Sequence, residues 1–226
     1  LDRLHSRRAT VSGVLSIHSN IFKPLWEACR SRIFKSAFTF QYKDLLTGGA
    51  WRAALLNEAA PRCGARILQV HIRESNISAE LSAKYPGCEL TSVNPFDPAP
   101  GTIEDGQRLS FERGRIGCDG ASFDKVICCM ALHPLEPPTK LALLKEMRRV
   151  LRSRGKLYLA DLDKAYSKRE TLALIGTYDL YGHETAVSHS DGTWTAQIEL
   201  AGFSHVKRVY NEPDVIGRVS IFRARR

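Results

Sequence analysis

A chain of 226 residues with 43% hydrophobic and 25% charged residues has the make-up of an ordinary globular protein, enough for one domain with a terminal extension. No apolar run approaches the ~20 residues that span a bilayer. The formal net charge of +9 favours anionic partners such as RNA, acidic protein surfaces or anionic lipid, and a basic, inert surface accounts for it equally well. The six cysteines are Cys29, Cys63, Cys88, Cys118, Cys128 and Cys129; no Cys-x-x-Cys pair and no histidine spacing completes a zinc site, so free thiols in a reducing compartment and no metal are expected.

In chain order, residues 1–50 read as a basic, amphipathic helical extension and residues 51–226 as the main domain. A chain opening on Leu1 is expected to be a fragment or a processed product. Arg3, Arg7 and Arg8 against Asp2, with Ser and His between them, have the bias of an organellar presequence, which gives a mitochondrial location as the expectation; a plain basic arm, and a cytoplasmic location, stand beside it. Ile21, Phe22, Leu25, Trp26, Cys29, Ile33 and Phe34 fall at helical spacings, predicting a helix over 20–38. Phe38, Phe40 and Tyr42 alternate before Gly48 and Gly49 break the pattern, and residues 51–60 form a second helix stopped by Pro61.

The short apolar run 67–70 predicts a buried strand, and the spacing of Ile77, Leu81 and Tyr85 predicts a helix opening near Asn76. Further strands are expected at 89–93, 108–113, 125–130 and 156–160, with helices at 139–151, 164–176 and 194–201. A polar loop is expected over 177–193, and a closing strand pair at 204–210 and 215–223.

The segment 68–76 (LQVHIRESN) stands where a class I S-adenosylmethionine (SAM)-dependent methyltransferase writes LDVGCGTGN. From about residue 51 onward the chain resembles that family, in the branch that methylates small molecules such as quinones. Residues 122–133 (SFDKVICCMALH) resemble its fourth strand. Residues 141–161 resemble its helix, Pro-Gly-Gly turn (here Ser153, Arg154, Gly155) and fifth strand, and Ala201, Gly202 and Phe203 the turn before its sixth. The resemblance implies an α/β fold: a Rossmann-like, seven-stranded, mostly parallel sheet with helices on both faces.

It also implies cofactor positions that depart from the family pattern. The glycine positions are His71, Arg73 and Ser75, with Ile72 between the first two. The acid of the first strand is Gln69, the ribose-binding acid of the second is Asn94, and the adenine-contacting acid is Arg115, with Asp105 or Asp119 as substitutes if the alignment slips. Glycine in such a turn supplies φ > 0 and lets a ligand reach the main chain. With bulk and positive charge in its place, the expectation is no bound cofactor and no catalytic residues: a methyltransferase-like pseudoenzyme, its SAM motif lost, acting as a structural or assembly subunit of a larger, mitochondrial complex. Two alternatives stand beside it: an active methyltransferase with atypical SAM contacts, and a basic RNA- or ribosome-associated module.

Four further features carry weaker signals. His133 ends the fourth strand as a base or, preferred, a packing residue; Asp161 ends the fifth. His183 and His189 flank Glu184 as a metal or acid–base candidate, or as two exposed histidines. Lys140, Lys145, Arg148, Arg149, Arg152, Arg154 and Lys156 could meet phosphates or form a solvated face.

Overall fold

The computed structural model describes residues 49–72, 76–97, 101–103, 106–181, 183–214 and 216–226. The helix expected at 20–38, the alternation at 38–42 and the positions Arg73, Ser75 and Asp105 lie outside the described residues.

In chain order the elements are α1 (Ala50–Ala59), β1 (Arg66–His71), α2 (Ser78–Lys84), β2 (Glu89–Val93), β3 (Gly101–Ile103), β4 (Gly106–Leu109), β5 (Phe111–Glu112), β6 (Arg115–Ile116), β7 (Phe123–Cys129) and α3 (Pro137–Val150). They continue as β8 (Leu151–Asp163), α4 (Lys168–Tyr181), α5 (His183–Asp191), a 3-10 turn (Thr193–Thr195), α6 (Ala196–Leu200), β9 (Ser204–Asp214) and β10 (Gly217–Arg225).

One sheet takes the order β3-β4-β2-β1-β7-β8-β10-β9. Apart from the three-residue edge strand β3, it is the seven-stranded, mostly parallel sheet of the class I methyltransferase fold. β10 enters antiparallel between β8 and β9. The central strands bury both faces: Ile67, Leu68, Val70, Val126, Ile127 and Cys128 have no exposed surface, which is why their sequences read as continuous apolar runs. Helix α3 opens on prolines, whose missing N–H groups cost nothing in a first turn, and lays Leu143, Leu144, Met147 and Val150 onto the core.

Three expected elements differ. The single strand over 108–113 is two pieces, β4 and then a β5–β6 hairpin. Arg113 (φ 50°) and Gly114 (φ 75°) are its central residues. Two successive positive φ values define a type I′ turn, which closes tightly only where a residue such as glycine tolerates the left-handed region.

The turn at 153–155 is absorbed into β8. Phe123 pairs with Leu151 but Lys125 with Lys156, so residues 152–155 bulge out of register. Gly155 is required there, because a Cβ would fall 2.8 Å from a Leu151 methyl and 2.9 Å from the Arg152 carbonyl oxygen.

The loop expected over 177–193 is mostly helix, α4 running to Tyr181 and α5 following it. The buried residues of α5 include Thr185 and His189, so this helix turns polar groups toward the core and leaves no apolar period in the sequence.

Candidate cofactor crevice and its polar floor

β1 has β2 on one side and β7, entered much later in the chain, on the other. In open α/β sheets such a reversal opens a crevice at the carboxyl ends of the strands, where ligands bind. Here His71 of β1 lies opposite Cys129 of β7, and Ile72, Met130 and Ala131 follow, all buried.

His71 is not a cation in that crevice. Burial pushes its pKa below the ordinary value, and the nearby Arg108 pushes the same way. Its Nδ1–H donates to the Ile72 carbonyl at 2.7 Å, which leaves Nε2 of the neutral ring as an acceptor.

Gln69, Ser92 and Arg108 stand in register across β1, β2 and β4. Gln69 Oε1 accepts from Ser78 Oγ at 2.7 Å, tying the strand to the first turn of α2. Among the described residues the row keeps three buried polar atoms without a hydrogen-bond partner: Gln69 Nε2, Ser92 Oγ and Arg108 Nε. Buried polar atoms are rarely left so, and a polar ligand or water at the head of these strands is the ordinary remedy.

Asn94 caps the turn that leaves β2. Its Oδ1 accepts from the Phe96 N–H at 3.0 Å, and its backbone bridges to Asp97. Asp97 places a carboxylate on this turn: Arg108 Nη1 donates to its Oδ2 at 2.7 Å, and the side chain stays 39% exposed. Asp97 gives no strand-end signal in the sequence, because the Asn-Pro turn carries the acid three residues beyond Asn94.

Arg115 is not brought to the crevice. It lies exposed on the β5–β6 hairpin near Glu146 of α3. That hairpin is pinned to α3 by Ile116 N–H donating to Glu146 Oε2 at 2.9 Å and Arg149 Nη2 donating to the Ile116 carbonyl at 3.0 Å. Asp119, the described substitute, is exposed between the hairpin and β7.

On the other side of the switch point the heads of β7 and β8 meet in a sealed polar cluster. Asp161 is fully buried. Its Oδ1 accepts from His133 Nδ1–H at 2.7 Å and from the Leu162 N–H at 2.8 Å, and its Oδ2 accepts from the Leu132 N–H at 2.7 Å. Burial alone would raise its pKa, but His133, His189 and these donors outweigh that and hold it at about 2.

His189 of α5 donates Nδ1–H to the Leu162 carbonyl at 2.7 Å, stacks on Trp194 at 4.7 Å and meets the His133 ring edge-on at 6.2 Å. Its Nε2 is buried without a partner among the described residues, and burial drops its pKa to about 3. Expected to be exposed, His189 is instead a neutral core residue. His183 begins α5, and no group of three or more His, Cys, Asp or Glu that could hold a metal occurs among the described residues.

Lys140, expected as part of a solvated basic face, is also fully buried. Its Nζ donates to the Thr185 carbonyl at 3.1 Å and to Ser188 Oγ at 3.2 Å, and burial lowers its pKa to about 8. Of the other six residues of that run, three are engaged within the chain: Arg148 with the Gly202 carbonyl, Arg149 with Glu146 and Arg152 with Asp124. Phosphate would have to compete with those bonds.

The sheet order, with β10 antiparallel between β8 and β9, defines a class I methyltransferase fold. The family profile described as a methyltransferase domain matches residues 47–159, and the chain belongs to that family, the class I SAM-dependent methyltransferases. None of the curated protein sequences matches it.

Among solved structures it is similar to a SAM-dependent methyltransferase from Aquifex aeolicus, at 13% identity over 85% of this chain and 98% of that one, with a TM-score of 0.51. It is also similar to the phosphoethanolamine N-methyltransferase 2 of Haemonchus contortus, solved with phosphomonomethylethanolamine and S-adenosylhomocysteine (11% identity, 88% and 59% covered, TM-score 0.61). PigF, solved with S-adenosylhomocysteine, is a third (16%, 78% and 58%, 0.52).

These findings overturn the expectation of no cofactor. A methyltransferase domain, with neighbours that hold the demethylated form of SAM, points to S-adenosylmethionine. The crevice gives the physical reason. Of the groups expected to exclude a sulfonium, His71 is neutral, Arg115 sits elsewhere and Asp97 lies on the turn after β2, while Arg73, the expected added positive charge, lies outside the described residues. No helix among the described residues is long and apolar enough to cross a membrane.

Proposed function

We propose that this domain is a SAM-dependent methyltransferase with atypical cofactor contacts, in which the turn from Asn94 to Asp97 takes the place of the strand-end acid. The observation that carries this reading is the Asp97 carboxylate, oriented by Arg108 at the head of β2 and β4 with an edge open to solvent. A carboxylate has acceptors only, which suits the two donor hydroxyls of a ribose. Asn94, Gln69 Nε2 and Ser92 Oγ add polar groups beside it. When bound, SAM supplies an activated methyl group on a sulfonium. The chain would hold the nucleoside through Asp97, present the acceptor nitrogen of a neutral His71 rather than a charge, and exclude water with Ile72, Met130 and Ala131.

Titration calorimetry tests this. Wild type is expected to bind SAM and S-adenosylhomocysteine, and Asp97→Asn, which removes one charged hydrogen bond, to bind each roughly 10–100-fold more weakly. Equal affinities for Asp97→Asn and wild type, in a protein with an unchanged melting curve, would refute the assignment of Asp97.

One observation favours a second reading, a catalytically silent member serving as a structural or assembly subunit, with the mitochondrion as its compartment. His133, Asp161, Lys140 and His189 have no exposed surface; His133 bonds to Asp161, Lys140 to the Thr185 carbonyl and Ser188 Oγ, and His189 to the Leu162 carbonyl, so these acid–base groups are closed to an acceptor. Both readings allow cofactor binding. Release of S-adenosylhomocysteine on incubation with small phenolic and quinol acceptors is expected only under the first, and comigration of the native protein with a large assembly only under the second.

A further inference from the structure

At the opposite end of the sheet from the crevice, the segment entering β1 is clasped to the segment entering β2. The Ala65 N–H donates to the Arg62 carbonyl at 3.0 Å and closes a turn that carries Cys63. The Gly64 N–H donates to the Gly87 carbonyl at 2.8 Å, and the Glu89 N–H to the Ala65 carbonyl at 3.0 Å, fixing the two segments side by side.

Each thiol reaches across to the other segment. Cys88 Sγ donates to the Arg62 carbonyl at 3.3 Å, beside Cys63, and Cys63 Sγ approaches the Gly87 carbonyl at 3.9 Å, beside Cys88. Gly87 lies at φ 83°, and a Cβ on it would fall 2.7 Å from Cys63 Sγ, so the sulfur rests against the backbone that leads into Cys88. Cys63 is exposed and Cys88 half-buried, whereas Cys128 and Cys129 are fully enclosed in the sheet.

From this reciprocal crossing we propose that Cys63 and Cys88 are a redox pair that closes to a reversible disulfide, linking the start of β1 to the start of β2. A disulfide needs the two Cα atoms within about 7 Å of each other, and a hydrogen-bonded clasp between adjoining segments is the kind of arrangement that meets this with little main-chain movement.

The exposed Cys63 reacts first. With a peroxide its thiolate displaces one oxygen as hydroxide and becomes a sulfenic acid. The Cys88 sulfur then attacks the Cys63 sulfur, the S–O bond breaks and water leaves. In sum two thiols and one hydrogen peroxide give one disulfide and two waters. With oxidised glutathione, Cys63 forms the mixed disulfide and Cys88 expels the second glutathione as its thiol. Burial and the neighbouring Cys63 raise the Cys88 pKa, so closure quickens as pH rises above neutral. The bridge lies away from the cofactor groups, so this proposal does not depend on the reading of the crevice.

The test treats the full chain with hydrogen peroxide or oxidised glutathione, followed by differential alkylation, intact mass and peptide mapping. The expected result is a loss of about 2 Da and of two alkylatable thiols, a cross-linked peptide joining Cys63 to Cys88, and full reversal by dithiothreitol. Cys63→Ser and Cys88→Ser should each abolish the cross-link, and Cys118→Ser should leave it. A Cys63 that ends as a sulfinic acid or a persistent glutathione adduct while Cys88 stays alkylatable would overturn the proposal. So would a bridge to Cys29 instead. Both outcomes are read on wild type, so they do not rely on either variant folding.

Discussion

Asp161→Ala is expected to lower the free energy of unfolding by about 3–5 kcal/mol, the cost typical of removing one member of a buried, charge-assisted network. The carboxylate satisfies three N–H donors at once, from His133, Leu132 and Leu162, in a place with no exposed surface. The variant leaves all three without an acceptor and opens a small cavity beside them. Asp161→Asn is the sharper variant. Oδ1 and Oδ2 both accept N–H groups, so an amide placed either way turns its NH2 toward a donor. It is expected to destabilise despite near-identical shape. Urea unfolding followed by tryptophan fluorescence measures both, with Trp194 reporting from the same cluster. A loss under 1 kcal/mol for Asp161→Asn would show that the cluster is wetter or looser than its geometry requires.

The second large effect is on pH. Folded His189 titrates at about 3, whereas an unfolded histidine titrates near ~6.5. Its folded-state pKa is lowered, so below ~6.5 the unfolded chain takes a proton that the folded chain refuses, and stability falls as pH drops from there toward 3. At ~1.4 kcal/mol per unit, moving from pH 6.5 to 4.5 is expected to remove about 2–3 kcal/mol.

The charged and titratable groups around the ring act in separable windows. Asp161 favours protonation of His189, while Lys140 and His133 oppose it. Asp161 itself, held at about 2, keeps its contribution down to about 3.8 and loses it only below that. Lys140, lowered to about 8, adds stability only as pH rises from there toward ~10.4. Between pH 4.5 and 6.5 the slope therefore contains His189, together with a contribution of the same sign from His71, whose pKa burial also lowers. His189→Gln keeps a donor for the Leu162 carbonyl without a titrating ring and is expected to flatten most of that slope. Equal slopes for variant and wild type, in urea midpoints at pH 6.5 and 4.5, would place the burden elsewhere.

Both effects come from residues whose types were visible in the sequence but whose surroundings were not. His133 and Asp161 were legible as strand-end residues, and the preferred packing role of His133 agrees with its burial against Asp161. His189 and Lys140 were misread as exposed, because a histidine in a polar run and a lysine in a basic run look solvated unless the partner across the fold is known. Arg115 was placed by counting from a strand that divides in two. That division follows from Arg113 and Gly114 closing a hairpin, a local signal that an alignment to a longer strand hides. Asp97 was passed over for a neighbouring reason: the acid sits on the turn after β2 and meets Arg108 only once β4 pairs with β2.

What the sequence determined by itself was the sheet and its family. Strand periodicity, apolar runs and the order of the blocks are properties of neighbours along the chain, and burial against a generic apolar partner is all they need. The state of the crevice was decided by tertiary structure. Whether His71 carries a charge, whether a carboxylate faces the head of β2, and whether Lys140 meets solvent depend on desolvation and on hydrogen-bond partners tens of residues away. These terms shift ionisation by several kcal/mol, and no local pattern of residue types encodes them.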